Sequence, residues 1–366
     1  MLARYSVSNR SVLPLPMTFA RSLTLLRLFP LLVAIATLAG CARNTAHHEE
    51  SFVFGTRVEI TTWGVPEAQA GKAVGAVLRE FDRMHRAYHG WQPSELTTLN
   101  AALARGETAT VTPELAGMLV EAKDLAARGD QLFDPAIGKL IGLWGFHRDQ
   151  YEAVTPDPLA LREAVAAHPT MADLEIEGTR VSSRNPAVQL DLGGYAKGWA
   201  LDRAAEILRA EGIANALINI GGNVLALGAK GEQPWKVGIQ NPRGAGALAA
   251  LPLKDGEAIG TSGDYQRFFE RDGQRFCHLI DPRTGNPATE TRSLTILVAA
   301  RPRAGTLSDA ASKPAFIDGE HWRARVAAYG IDHALRVDAA GRIAVTRALA
   351  KRIEWLGDVR ADTVVD

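Results

Sequence analysis

The stretch "DLGGYAKGW", from Asp191 to Trp199, brings an acid, two glycines and a lysine together within a few residues. Apolar residues alternate before it, as in a strand, and the residues after it have the apolar spacing of a helix. Glycines at a strand-to-helix turn let backbone N–H groups approach a ligand, and a helix start favours an anion. A lysine in the first helical turn opposes the helix dipole, so Lys197 suggests a bound anion. A tight turn with a solvated lysine is the alternative.

The composition of the whole chain restricts where such an anion can be held. The chain has 366 residues, enough for one large domain or two ordinary ones, and 46% of them are hydrophobic. Lysine plus arginine and aspartate plus glutamate balance at 41 each, without a long basic block. No nucleic-acid footprint is therefore visible, and an anionic ligand needs a local site rather than the field of the whole protein.

Strand and helix signals are mixed along the chain. After Asp173, short strand-like segments alternate with a few helices, and residues 339–341 form the turn of a hairpin. The elements predicted before it are a strand over 52–63 with a bend at Gly55, a helix over 68–85, a short helix capped by Ser94 and a helix over 113–128. No repeat or linker interrupts the pattern. It predicts an α+β fold with mixed or antiparallel strands, in one compact unit with two lobes.

The N-terminus is typical of an export signal. Arg21 and Arg27 precede an apolar run over 28–39, which is too short for a spanning helix and fits a signal-peptide core. The run ends in "LAGC", which resembles the bacterial lipobox and predicts lipidation of Cys41; an ordinary signal peptide with a chance cysteine is the alternative. Met17 is a second candidate start.

The sequence predicts three segments outside the folded domain. They are a lipoprotein signal peptide over 1–41, a polar tether over 42–51 and a tail over 359–366. The protein is then held at the membrane through a lipid anchor in the bacterial cell envelope, facing the periplasm. An aspartate directly after the cysteine would indicate retention at the inner membrane, but that position is Ala42.

Three further motifs carry candidate chemistry. "NIGGN", over 219–223, ends a strand with two glycines and predicts either a backbone approach to a ligand or a bulge. In "CHLIDPRTGNP", His278 is a candidate general base, with a structural histidine as the alternative. "LSDAASKPAF" places Asp309 and Ser312 one turn apart, where both can face a ligand or metal, unless Asp309 caps the helix.

Taken together, these motifs resemble the ApbE family, the Mg²⁺-dependent FAD:protein FMN transferases of the bacterial periplasm. The resemblance runs in order from Phe52 to Trp355 and implies an ApbE-like domain over 52–358. Nine segments carry it: "FGT", "WQPSEL", "FDPAIGKLIGLWGF", "LDLGGYAKGWALD", "INIGGN", "WKVGIQNP", "GTSGDYQRFF", "HLIDPRTGNP" and "SDAASKPAF".

The resemblance also implies an activity. FAD would bind in a cleft between two lobes, and its FMN part would pass to a Thr or Ser hydroxyl of a target protein, releasing AMP. The partners would be FAD and a flavin-acceptor protein, such as a subunit of an electron-transfer complex or a flavin-binding domain. Two alternatives remain: an FAD pyrophosphatase that uses water as acceptor, and a non-catalytic FAD-binding lipoprotein.

Site residues follow from the positions that match the family motifs. Asp191 would hold the adenosine side of FAD, Lys197 would lie by the flavin nucleotide, and Trp91 would stack on a ring system. His278 would act as the base for the attacking hydroxyl. The resemblance also implies four further ligand contacts, which are Phe54, Phe133, Asp134 and Ile280. Gly194, Asp309 and Ser312 would surround a Mg²⁺ that offsets the pyrophosphate charge, and Asp309 would also be catalytic.

One position departs from the family pattern. The family has Asp followed by Thr four residues later, whereas here Lys313 follows Asp309 at that spacing. An ammonium cannot ligate Mg²⁺, because it has only donors. Two explanations follow: Lys313 supplies positive charge to the pyrophosphate itself, or Ser312 supplies the lost oxygen.

Overall fold

A nine-stranded sheet organises the fold. The computed structural model describes residues 45–148 and 152–366. The strands of the sheet, in spatial order, are β1 (Ala46–Val53), β2 (Thr56–Trp63), β6 (Ala216–Ile220), β7 (Asn223–Leu227), β10 (Ala258–Gly263), β13 (Thr291–Val298), β14 (His333–Asp338), β15 (Ile343–Thr346) and β17 (Thr363–Val365). Neighbouring strands are antiparallel except β15 and β17, which are parallel.

Helices and short strands surround this sheet. The helices are α1 (Glu67–Ala87), α2 (Glu95–Ala104), α3 (Pro113–Arg128), α4 (Gly138–Leu143), α5 (Pro158–Ala166), α6 (Ala196–Ala210), α7 (Ala304–Ile317), α8 (Trp322–Ala327) and α9 (Arg347–Ala350). The remaining strands form three small sheets. One contains β3 (Ala109–Thr110), β4 (Leu174–Glu177) and β5 (Arg180–Ser183), and a second contains β8 (Trp235–Gln240), β9 (Ala247–Leu253) and β16 (Glu354–Trp355). The third is the hairpin of β11 (Phe268–Arg271) and β12 (Gln274–Cys277). Among the described helices, none is both long and apolar enough to cross a membrane.

Each face of the large sheet covers its own core. Because side chains alternate along a strand, Ile296 of β13 joins the core under the helices, whereas its neighbour Leu297 joins a second core. The second core lies against the sheet formed by β8, β9 and β16. A third, smaller cluster packs α4 and α5 against the β11–β12 hairpin. The predicted α+β class is confirmed, and Thr45–Asp366 form a single compact unit.

Helix α7 is buried along its whole length between α6 and the sheet. Two glycines permit this close approach. A Cβ at Gly198 of α6 would lie 2.5 Å from the carbonyl oxygen of Gly305, and one at Gly260 of β10 would lie 1.9 Å from that of Ser308. The packing therefore fixes where the middle of α7, with Asp309 and Lys313, meets α6.

Several predicted boundaries differ in the structure. Residues 52–63 form a hairpin rather than one bent strand, because Phe54 and Gly55 both have positive φ, as in a two-residue turn. The predicted tether over 42–51 is wrong from Ala46 onward, because those residues pair with β2. The predicted tail contains β17, which pairs with β15. The signal peptide, the lipobox and Cys41 lie outside the described residues.

Other local predictions are confirmed. Helix α3 spans the predicted residues, and Ser94 caps α2 by accepting a hydrogen bond from the Thr97 N–H at 3.0 Å. The hairpin predicted around 339–341 joins β14 and β15. Helix α7 begins at Ala304, earlier than the sequence indicates, so Asp309 lies within the helix and does not cap it.

Candidate active site

A cavity of about 830 Å³ collects most of the predicted site residues. It is bounded by the β1–β2 hairpin, the loop after α1, the segment before α4, the turn before α6 and the loop after β12. Nine predicted residues line it: Phe54, Trp91, Phe133, Asp134, Asp191, Gly194, Lys197, His278 and Ile280. Asp309 and Ser312 are fully buried and do not line the cavity.

One side of the cavity, here called the lysine wall, consists of Lys197, His278 and Lys313, with Asp309 behind them. Lys197 follows the first residue of α6, and its Nζ donates to the Gly193 carbonyl at 3.1 Å. The same ammonium lies 3.6 Å from the Asp309 carboxylate. The sequence prediction that Lys197 occupies the first helical turn is confirmed.

Lys313 pairs directly with the same carboxylate. Its ammonium donates to Oδ1 of Asp309 and, at 2.7 Å, to the Asp309 carbonyl. Burial lowers the pKa of Lys313 to about 8, against the attraction of Asp309. Its side chain runs over the turn before α6, where a Cβ on Gly194 would lie 3.4 Å from the Lys313 Cε.

The Asp309 carboxylate is ionised despite its burial. Burial opposes the charge, but Lys197 and Lys313 together hold the pKa of this carboxyl below its usual value. Its second oxygen accepts the N–H of Gly198 at 2.9 Å. Both carboxylate oxygens are therefore engaged by N–H donors from the chain itself.

His278 is neutral in this wall. Its Nδ1 lies 3.2 Å from the Arg267 carbonyl, which can only accept, so Nδ1 carries the proton and Nε2 is the basic nitrogen. Burial, with the positive charges of Arg267 and Lys197, lowers the pKa of His278 to about 3. The imidazole is therefore already in the form that can accept a proton.

A second group, here called the ring wall, consists of Phe54, Trp91 and Asp191, which line the cavity, and His147, which contacts Trp91 and Asp191. Trp91 stacks on His147 with ring centres 5.1 Å apart and planes 19° apart. The Nε2 of His147 lies 3.0 Å from the Asp191 carboxylate, which also accepts the Gly193 N–H at 2.7 Å. Burial opposes the Asp191 charge, but the His147 hydrogen bond keeps the pKa of this carboxyl below its usual value.

Phe54 extends the ring wall toward α1. Its ring packs against Phe81 at 5.6 Å and against His85 at 5.9 Å. The rings of His85, His89 and Trp91 then follow one another at 4.9 and 4.6 Å between centres. A planar ligand ring entering this side meets a continuous set of aromatic edges and faces.

Asp134 is predicted as a ligand contact, but in the structure its carboxylate is hydrogen-bonded to backbone N–H groups. The carboxylate accepts the N–H groups of Ala136 at 2.9 Å and Met171 at 3.1 Å. Burial raises the pKa of Asp134 to about 7, against these hydrogen bonds. This residue holds the segment that carries Phe133, whose ring edge would lie 3.7 Å from a Cβ on Gly194.

The residues predicted for Mg²⁺ do not fit that ion in this arrangement. Magnesium takes a near-octahedral shell of oxygens, several of them water. The Asp309 oxygens receive N–H donors, and the Ser312 hydroxyl is bonded to the Ser262 hydroxyl at 2.7 Å and to the Asp309 carbonyl at 2.8 Å. The Lys313 side chain, which ends in an ammonium, lies against both Asp309 and Gly194, two of the predicted ligands.

Comparison with known proteins identifies the family. Residues 54–335 match the sequence profile of the ApbE family. The chain belongs to the ApbE family. It is 45% identical over 321 residues to the FAD:protein FMN transferase of Rhodobacter capsulatus, covering 87% of this chain and 61% of that relative. The FAD:protein FMN transferase of Treponema pallidum is 32% identical over 312 residues, covering 79% of this chain and 83% of that relative.

Solved structures agree with this assignment. The crystal structure of the ApbE protein of Thermotoga maritima superposes with a TM-score of 0.76 at 31% identity, covering 84% of this chain and 99% of that one. The apo flavinyl transferase ApbE of Pseudomonas stutzeri gives a TM-score of 0.73 at 25% identity, covering 85% of this chain and 97% of that one. The chain spans less than two thirds of the length of the Rhodobacter capsulatus relative.

Two residues of this ApbE-family site escaped the sequence reasoning. His147 follows the "FDPAIGKLIGLWGF" motif directly and reaches Asp191 across 44 residues. Arg267 lies next to Trp91, with its guanidinium 5.9 Å from the centre of that ring, and it also supplies the carbonyl that orients His278. The available signal was the position of His147 directly after "GLWGF" and of Arg267 within "GDYQRFF".

Proposed function

We propose that this protein transfers FMN from FAD to a Thr or Ser hydroxyl of a partner protein, with release of AMP. The observation that carries the proposal is the lysine wall: a neutral histidine beside two ammonium groups, in the cavity of an ApbE-family fold. The relatives from Rhodobacter capsulatus and Treponema pallidum are named for this activity.

The two walls divide the recognition of FAD. The ammonium groups of Lys197 and Lys313 suit its diphosphate, because a cation beside a phosphate forms charge-assisted hydrogen bonds. Trp91 and Phe54 suit a planar ring, and Asp191 supports the adenosine end through its contacts beside Trp91. FAD would then reach from its diphosphate at the lysine wall to a ring at the ring wall.

The chemical step needs a base and charge stabilisation at phosphorus. The hydroxyl oxygen of the acceptor attacks the phosphorus of the FMN part, and its proton passes to Nε2 of His278. The bond from that phosphorus to the bridging oxygen breaks, and AMP leaves with the electron pair on its phosphate. The negative diphosphate offsets the cations around His278, so binding of FAD raises the pKa of this histidine from about 3 and makes it a stronger base.

The setting of the reaction is part of the proposal. The "LAGC" motif supports lipidation of Cys41 and a position on the periplasmic side of the bacterial envelope. Acceptors in that location would be flavin-carrying subunits or domains of electron-transfer proteins. Globomycin, which blocks lipoprotein signal cleavage, should leave a larger precursor in cells; an unchanged mass would contradict the anchor.

The test combines two readouts. The full chain in detergent is incubated with FAD and a flavin-acceptor domain, and the acceptor mass and free AMP are measured together. Acceptor carrying FMN, with one AMP released for each, supports the transferase. AMP without modified acceptor indicates that water is the acceptor and that the protein is a pyrophosphatase. FAD that binds and stays intact indicates a flavin-binding protein without catalysis.

A further inference from the structure

The lysine wall contains more positive than negative charge. Within the part of the chain that the structure describes, Asp309 is the one carboxylate in the wall's ion pairs, and it is shared by the ammonium groups of Lys197 and Lys313. Lys313 is only 8% exposed, and that exposure is toward the cavity, which it lines. A buried excess of cation is unfavourable unless an anion neutralises it. The site is therefore arranged for an anionic group.

We propose that the Lys313 ammonium is the resident cation of this site and binds the FAD diphosphate in place of a divalent metal ion. This inference rests on the proposed function. Asp309 then positions the ammonium rather than ligating a metal, and its backbone carbonyl holds a second donor at 2.7 Å. An ammonium has three N–H donors, so one remains for the phosphate oxygens.

The packing of α6 and α7 supports a fixed cation. Gly198 donates its N–H to the second Asp309 oxygen at 2.9 Å, and a side chain at this position would separate the helices. Ser312, the other candidate oxygen ligand, is directed to Ser262 on β10 at 2.7 Å. The side-chain oxygens of Asp309 and Ser312 are thus bonded to partners within the chain.

Two consequences can be measured separately. Wild-type protein should bind FAD equally well in EDTA and in millimolar Mg²⁺. Replacing Lys313 with Met should weaken FAD binding about 30-fold, because a charge-assisted hydrogen bond is lost, and should leave riboflavin binding unchanged, because riboflavin has no phosphate. Flavin fluorescence gives both affinities with the full chain in detergent.

Controls distinguish a local effect from misfolding. Lys123→Met removes another partly buried lysine, which donates to the Leu174 carbonyl outside the cavity, and should bind FAD as the wild type does. The double variant Asp309→Asn with Lys313→Met removes the ion pair without leaving Asp309 charged. It should fold and should also bind FAD about 30-fold more weakly than the wild type.

The outcomes separate the two proposals. The proposal that Lys313 is the resident cation is overturned if wild-type FAD binding tightens tenfold or more with Mg²⁺, or if the double variant binds FAD normally. Neither result bears on the proposed transferase activity. Equal losses of FAD and riboflavin binding in both Lys313 variants also overturn the resident cation. Metal-independent FAD binding with no transfer to any acceptor overturns the transferase and leaves the resident cation standing.

Discussion

The two walls of the cavity are built in different ways. Lys197, Lys313 and Asp309 of the lysine wall come from helices α6 and α7, which approach closely at Gly198, and Asp309 has N–H partners on both oxygens. The aromatic residues of the ring wall come from a hairpin turn and loops, where Phe54 packs on Phe81 and Trp91 stacks on His147. The two ammonium groups and their carboxylate are thus held by helices, and the aromatic rings are placed by a turn and loops.

This difference has a physical reason. A misplaced buried charge is expensive, so the groups around a diphosphate need several partners and a rigid scaffold. Ring stacking tolerates small displacements, because its energy varies smoothly over a broad surface. We therefore expect substitutions in the lysine wall to act on chemistry and folding, and substitutions in the ring wall to act on affinity.

The largest effect is expected at His278. Replacing it with alanine removes the base and should lower the rate of FMN transfer about 10²–10⁴-fold, measured by the mass of the acceptor over time. FAD affinity should change little, because the lysines and the ring wall remain. A loss below tenfold, or an equal loss of FAD affinity, would show that the lysine wall does not supply the base.

Asp134 tests the segment that carries Phe133 at the cavity. Its pKa is about 7 in the folded protein and 3.8 in the unfolded chain, so the folded state binds more protons between these values. The stabilisation is complete below pH 3.8 and is lost as the pH rises toward 7. Relative to Asp134→Asn, wild-type stability should fall by up to about 4 kcal/mol from pH 4 to pH 8.

Urea unfolding of both proteins across this range measures the difference. The asparagine of the variant keeps an acceptor oxygen for the N–H groups of Ala136 and Met171. Because its amide does not titrate, the pH dependence that comes from this site disappears. Other carboxyls titrate in both proteins and cancel in the comparison. A difference that stays constant with pH would mean that Asp134 is ionised in the fold.

Gly198 tests how tightly the lysine wall is packed. An added Cβ would lie 2.7 Å from the Cβ of Asp309, so Gly198→Ala should lower the free energy of unfolding by about 1–3 kcal/mol and slow transfer. Gly117→Ala is the matched control, because a Cβ on that exposed position of α3 meets no atom within 4 Å. The control should be neutral or slightly stabilising. Equal effects would mean that α6 and α7 can separate freely.

The sequence predicted elements of the fold well where local signals were strong. The cap of α2, the span of α3, the hairpin turn of β14 and β15 and the position of Lys197 in a first helical turn all have short-range causes. The hairpin at Phe54 was missed because a positive φ at a phenylalanine has no sequence signature.

Pairings across the chain were not predictable in the same way. Asp309 and Gly198 are 111 residues apart, and Asp191 and His147 are 44 apart, so only the fold brings them together. Nine of the positions that the resemblance to the family implied line one cavity. The resemblance did not give the partners that engage Asp309 and Asp134, because those depend on the packing of this chain.

The smallest effect is expected in the ring wall, at Trp91. Trp91→Leu keeps an apolar side chain but removes the flat surface beside His147, and it should weaken FAD binding by about tenfold, within the 1–3 kcal/mol of a stacked base. Because the proposed function puts the adenosine end of FAD beside Asp191 and Trp91, FMN binding should stay within about twofold. If FMN binding falls as much as FAD binding, Trp91 contacts the flavin. Under the same proposal the lysine wall carries the chemical step, so the transfer rate at saturating FAD should be unchanged.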